Sequence, residues 1–173
     1  SYYSHSKQTP QNILIIENLD TFYDIRRYRN AGHATVLQME FETLIYGSGK
    51  SICRKFNDYI DGAEAYFMQE NQLYYFGDLD YEGIGIYESL AGMEWQDGRR
   101  ISVQLFTQAY ERMLDKAQRI GIGELPDTKK GQNSKIGNVF LDFFNETRRE
   151  QIRMILEAGK YIPQEILNEH DWG

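Results

Sequence analysis

The sequence predicts an α/β domain built on a mainly parallel sheet. Three observations carry this expectation. An apolar run, NILIIE at residues 12–17, ends in a lone acid. Short apolar runs then alternate with segments of helical spacing. The chain has 173 residues of which 41% are hydrophobic, enough for one domain with a sizeable core.

Asn12 to Glu17 lacks the polar alternation of a half-exposed strand, so it reads as a central strand buried on both faces. Asn18 can cap a helix that presents Leu19, Phe22, Tyr23 and Arg26 and stops near Ala31 and Gly32. Thr43 to Tyr46 reads as a second strand, followed by the tight Gly47-Ser48-Gly49 and a helix from Ser51 to Ile60. Gln72 to Gly77 is the third strand, broken by Asp78-Leu79-Asp80 and followed by a helix from about Tyr81 to Ala91. Ile101 to Leu105 is a fourth. Phe106, Ala109, Tyr110, Met113, Leu114 and Ala117 then mark the apolar face of a helix reaching Ile120. Gly121 to Lys135 is turn-rich and basic, a surface loop. Asn138 to about Gly159 is expected as one long helical stretch, with Pro163 opening a last short helix, PQEIL. Residues 1–11 form a polar tail and 12–173 the domain. The polar start, at Ser1 rather than Met, leads us to expect a piece of a longer protein.

Nineteen Lys and Arg against 26 Asp and Glu give a net charge of −7, too acidic for a simple electrostatic binder of nucleic acid or anionic membrane. The distribution changes this. Residues 56–98 hold ten acids and no Lys or Arg, so the rest of the chain carries +3. One cysteine, Cys53, excludes an intramolecular disulfide framework and suits a reducing cytoplasm. No apolar run approaches the length of a membrane span.

In a parallel sheet the strand C-termini meet at one edge, where ligands bind. Glu17 closes the first strand there, and Asp78 and Asp80 close the third. If those strands are neighbours, three carboxylates meet in a small volume, and a raised pKa or a cation must relieve their repulsion. Mg²⁺ (or Mn²⁺) suits the donors, because it takes oxygen ligands and keeps waters or phosphate oxygens around one or two carboxylates. The plainer reading makes Asp78 and Asp80 turn and cap residues. Glu82 is either a fourth acid near the metal or a favourable acid in a first helical turn. Gly47-Ser48-Gly49-Lys50-Ser51 fails the P-loop pattern because Leu44 stands where a Gly is needed. Lys50, at the ligand edge, either holds a DNA phosphate or is a solvated lysine. Arg26, Arg27 and Arg29, and Arg148, Arg149 and Arg153, read as solvated faces. Lys129 and Lys130, on the basic loop, are the better candidates for DNA-backbone contact. His5, His33 and His170 read as surface histidines, and Tyr74, Tyr75 and Tyr81 as packing residues.

LIIENLDTF followed by YFGDLDYEG resembles the Toprim domain, whose pattern is a Glu after the first strand and D-x-D-x-x-G after the third. With the preceding IYGSGK, the wording is closest to the C-terminal Toprim domain of the JetD subunit of Wadjet plasmid-defence systems, itself similar to the topoisomerase VI A subunit. The resemblance covers Asn12 to Ala91 firmly and the helical tail loosely. It implies a Rossmann-like, mainly parallel four-stranded sheet flanked by helices with a helical C-terminal extension. Glu17, Asp78 and Asp80 match the Toprim acids, and Gly77 and Gly83 its flanking glycines. It further implies a Mg²⁺-dependent DNA endonuclease that works as a homodimer with an SMC-like ATPase complex. Two alternatives stand beside hydrolysis: a topoisomerase VI-like strand-transfer subunit using a Tyr on another domain, and a non-catalytic Toprim interaction module.

Overall fold

The computed structural model describes residues 2–49, 52, 70–94 and 102–173. Its strands are β1 (Tyr2–Ser4), β2 (Asn12–Ile16), β3 (Thr43–Tyr46), β4 (Gln72–Phe76) and β5 (Val103–Leu105). Its α-helices are α1 (Leu19–Asn30), α2 (Tyr81–Ala91), α3 (Thr107–Ile120) and α4 (Glu146–Glu157). The expected helix from Ser51 to Ile60, apart from Ile52, lies outside the described residues, as do Lys50, Cys53 and Ile101.

The sheet has five strands in the order β1-β3-β2-β4-β5. β2, the NILII run, pairs in parallel with β3 on one side and β4 on the other, with Ile16 opposite both Tyr46 and Phe76. Ile13 to Ile16 are all fully buried, as a two-sided apolar strand requires. β5 extends the parallel set beyond β4. From β2 the chain goes one way, through α1 to β3. From β4 it goes the other, through α2 to β5. The crevice between β2 and β4 is therefore the topological switch point of the sheet.

Two expectations are corrected. The sheet has a fifth strand: Tyr2–Ser4, from the segment read as a polar tail, pairs antiparallel with β3, Tyr3 opposite Leu44. Three residues are too few for a periodicity signal, yet they cover backbone groups that β3 would otherwise expose at its edge. The side chain of Tyr3 reinforces the pairing by donating to Asn30. The stretch from Asn138 to Gly159 is broken into a 3₁₀ turn, Leu141–Phe143, and α4. Asn145 is extended and accepts a hydrogen bond from the Arg148 N–H, capping α4 afresh. The break lets both Phe140 and Phe144 enter the aromatic cluster of Phe76, Tyr87, Phe106 and Tyr110, where rings meet edge to face at 5.2–6.2 Å.

The basic clusters are largely paired. Arg27 bonds Asp24, Arg148 bonds Asp115, and Arg149 and Arg153 share Glu146. His5, His33 and His170 are exposed, as expected.

The C-terminal residues close the domain. Trp172 is fully buried, donates from Nε1 to Asp24, and accepts at its carbonyl from the Leu37 N–H. Asp171, 5% exposed, accepts from Lys116 Nζ at 2.8 Å and from the Asn168 N–H, with Arg112 at 3.4 Å. Burial alone would raise its pKa, but these donors outweigh burial and lower it. A carboxylate with a lowered folded-state pKa stabilises above its unfolded value and loses that contribution as pH falls through the folded one. Asp171→Ala is expected to cost about 2–3 kcal/mol in urea denaturation at pH 7 by leaving the Asn168 N–H unpaired and Lys116 without its counter-charge, with only the Ile166 carbonyl as partner. The deficit should shrink below pH 4. An unchanged midpoint at pH 7 would remove this anchor from the fold.

Candidate metal centre

The structure brings Glu17 and Asp78 together at the switch point. β2 and β4 are in register, so the residues just past their ends stand side by side. The Glu17 N–H bonds the Phe76 carbonyl at 3.0 Å, and the Asp78 backbone N–H acts to lower the Glu17 pKa slightly. The Tyr75 hydroxyl donates to Glu17 Oε2 at 2.9 Å. Tyr75 is buried, with its own pKa pushed well up by burial and by the Glu17 charge, so it stays a protonated donor.

Gly77 fits beneath this contact because it has no side chain. A Cβ there would fall 2.3 Å from Glu17 Oε2 and 2.6 Å from the Tyr75 hydroxyl oxygen. The Gly77 N–H is spent on the Tyr110 hydroxyl at 2.8 Å. Gly83 is required more strictly, since its Cβ would stand 2.2 Å from the Asp78 carbonyl oxygen. Without it α2 could not begin so close to the end of β4.

Both leading carboxylates are electrostatically frustrated. Burial first and the Asp78 charge second push Glu17 up to about 7, with Asp80 adding to the rise. Burial first, then Asp80 and Glu165, push Asp78 up to about 6 against the opposing Gln164 N–H, which bonds Asp78 Oδ1 at 2.8 Å. Among the described residues, the only cation paired with either is Lys129, whose Nζ stands 3.7 Å from Asp78 Oδ2.

Asp80 takes the plainer role as well as a place near the acids. It is 3% exposed and caps α2, accepting from the Gly83 N–H at 2.6 Å through Oδ1. Its Oδ2 accepts from Gln132 Nε2 at 2.9 Å. Glu82 sits in the first turn of α2, lining a cleft with Tyr81, Gln132 and Lys135. After Asp80, the further acid whose charge raises Asp78 is Glu165, itself bonded by Asn18 Nδ2. Lys130 is exposed on the loop beside Lys129, and Lys50 lies outside the described residues.

Among the described residues no three acidic, His or Cys side chains close into a ready-made metal cage. The donors nonetheless fit a hard divalent cation. Glu17 and Asp78 offer half-buried carboxylate oxygens whose pKa values are raised by desolvation first and by neighbouring acid charges second, and a +2 ion offsets both effects. Mg²⁺ needs only one or two such groups from the protein.

Sequence reasoning missed three contributors. Gln164 is fully buried and ties the site together, donating from Nε2 to the Phe76 carbonyl and accepting from the Asn18 N–H. The β-bridge between Leu79 and Ile162 helps bring that distant segment beside the end of β4, and no local pattern announces it. Tyr75 packs as expected, but its hydroxyl also orients Glu17. Glu165 is hidden in an ordinary helical stretch.

No curated protein and no solved structure matches the chain. Among the described residues no helix is long and apolar enough to cross a membrane. The model for the C-terminal region of the Wadjet protein JetD matches residues 2–96, more than half of the chain and the whole of β1 to α2. Glu17, Asp78 and Asp80 all fall within that match, and the chain belongs to the JetD C-terminal family.

Proposed function

We propose that the chain is the catalytic Toprim domain of a Mg²⁺- or Mn²⁺-dependent DNA endonuclease. One observation carries the reading: two half-buried carboxylates, both with raised pKa, flank the switch point of a mainly parallel sheet. Glu17 and Asp78 would hold the ion, with Asp80 at its margin. Once bound, a divalent cation supplies charge stabilisation to a phosphate and lowers the pKa of a water.

The chain's own residues do the positioning. Tyr75 fixes the Glu17 carboxylate, and Gln164 fixes that of Asp78. Without a cation Glu17 is pushed up to about 7 and carries a proton for part of the time at neutral pH, and binding of the ion would release that proton and leave the carboxylate as a ligand. The N-terminus of α2, two residues beyond Asp78, contributes a dipole that favours a phosphate. Lys129 and Lys130 are the proposed contacts to the DNA backbone, with Lys50 a further candidate. Family membership extends the proposal to a homodimer acting with an SMC-like ATPase complex on plasmid DNA.

A non-catalytic interaction module is the second reading, favoured by the engagement of both Asp80 oxygens with Gly83 and Gln132. Cleavage of supercoiled plasmid by full-length protein in Mn²⁺ separates the two. The nuclease reading expects nicking that falls at least 100-fold in Glu17→Gln, about 3 kcal/mol of lost transition-state stabilisation. Nicking that survives the substitution would place the chemistry elsewhere. Its absence from the intact protein would favour the interaction module, and a covalent protein–DNA adduct would favour strand transfer by a Tyr.

A further inference from the structure

The loop that follows α3 makes two contacts that the carboxylates do not need for folding. Lys129 Nζ stands 3.7 Å from Asp78 Oδ2, and Gln132 Nε2 lies 2.9 Å from Asp80 Oδ2. The other oxygen of each aspartate is held by the backbone, from Gln164 for Asp78 and from Gly83 for Asp80. The loop therefore covers the one oxygen of each pair that fixed backbone leaves open.

The loop is firmly anchored at its base and weakly held at its tip. At the base, the Thr128 N–H bonds the Gly159 carbonyl at 2.8 Å and Lys160 Nζ bonds Asp127 at 2.7 Å. At the tip, the Lys129 ion pair is long and its side chain is 57% exposed. Gly131 has φ +83°, a conformation in which other residues are strained. The closed position also leaves the Gln132 Oε1 atom buried without a hydrogen-bond partner. Donating from Nε2 to Asp80 forces that orientation on the amide, and an orphaned buried carbonyl opposes the gain of the hydrogen bond.

We infer that Lys129 and Gln132 form a strap that stands in for the cation and is displaced when it binds. The inference rests on the metal-site reading above. An ammonium and an amide N–H occupy oxygens that a divalent ion can take, so loop closure and ion binding compete. Displacement relieves the orphaned Gln132 carbonyl. It also frees Lys129, still tethered at Thr128, for a phosphate near the site.

Calorimetric titration of Mn²⁺ into the protein and its variants, with hydrogen exchange on the same samples, tests this without an activity assay. Gln132→Ala and Lys129→Met should each bind Mn²⁺ about three- to tenfold more tightly than wild type, one weak contact having been removed from competition. Lys130→Met, which removes an equal charge from the same loop, should change the affinity by less than about twofold. Amides of residues 129–135 should exchange faster with Mn²⁺ bound, while those of 77–84 slow. Unchanged or weaker binding in both strap variants, or slower loop exchange with Mn²⁺, would overturn the strap while leaving the metal site in place. Equal tightening by Lys130→Met would reduce the Lys129 effect to bulk charge, leaving Gln132→Ala to decide. Wild type that binds no Mn²⁺ at millimolar concentration would overturn both.

Discussion

Glu17→Gln is expected to make the metal-free protein more stable at pH 8 by about 2–3 kcal/mol, while abolishing stabilisation by Mn²⁺. The reason is that Glu17 is pushed from 4.5 up to about 7 by burial and by Asp78. Its folded-state proton is held more tightly than its unfolded one, so its contribution to stability is present below pH 4.5 and lost as pH rises through about 7. Glutamine keeps an oxygen for the Tyr75 hydroxyl and carries no charge to desolvate. Near pH 4.5 the two proteins should converge. With 1 mM Mn²⁺ the order should reverse, because only wild type gains binding energy in the folded state. Differential scanning calorimetry at pH 5 and 8, with and without metal, reads all four cases. A variant less stable than wild type at pH 8 without metal would mean that the Glu17 charge is satisfied by the fold itself.

The second large effect belongs to the glycines. Gly83→Ala is expected to destabilise by about 3–5 kcal/mol, since its Cβ would lie 2.2 Å from the Asp78 carbonyl oxygen. That neighbour is backbone between β4 and α2, so relief requires moving the helix start. Gly77→Ala differs in kind, because its Cβ would meet side-chain atoms of Glu17 and Tyr75. Glu17 must swing away and lose its hydroxyl partner, and the Tyr75 ring, 2.6 Å away at its hydroxyl, or the Gly77 backbone must shift as well. We expect Gly77→Ala to weaken Mn²⁺ binding about 10- to 100-fold at a smaller cost in stability. Urea midpoints and metal titrations of the two variants should show opposite emphases. A Gly83→Ala protein as stable as wild type would mean that the turn after β4 yields easily.

Local signals made much of this fold legible in the sequence. NILII announced a central strand because an unbroken apolar run suits burial on both faces. Asn18 and the acids around Asp80 announced helix starts. Glu17 and Asp78 were legible as candidates because each directly follows a strand. What escaped depends on distant partners. β1 is recognisable only once β3 needs an edge partner, and the break at Asn145 exists so that Phe140 and Phe144 can share one ring cluster. Gln164 and Trp172 reach the domain through pairings with Leu79 and Leu37, far away in sequence. Asp80 serves as helix cap while lying beside the candidate metal centre, a combination that spacing alone could not divide.

The acidic balance of the chain also gains a local meaning. A net charge of −7 argues against DNA only if it is spread evenly. Here Asp78 and Asp80 belong to the acidic stretch, while Lys129 and Lys130 come from the basic loop beside them. The most direct test of the metal centre is anomalous diffraction from crystals of the protein soaked in Mn²⁺ at pH 8. One anomalous peak within coordination distance of both the Glu17 and Asp78 carboxylates is the predicted result. A fully soaked crystal with no peak between them, or with manganese bound only elsewhere, would contradict it.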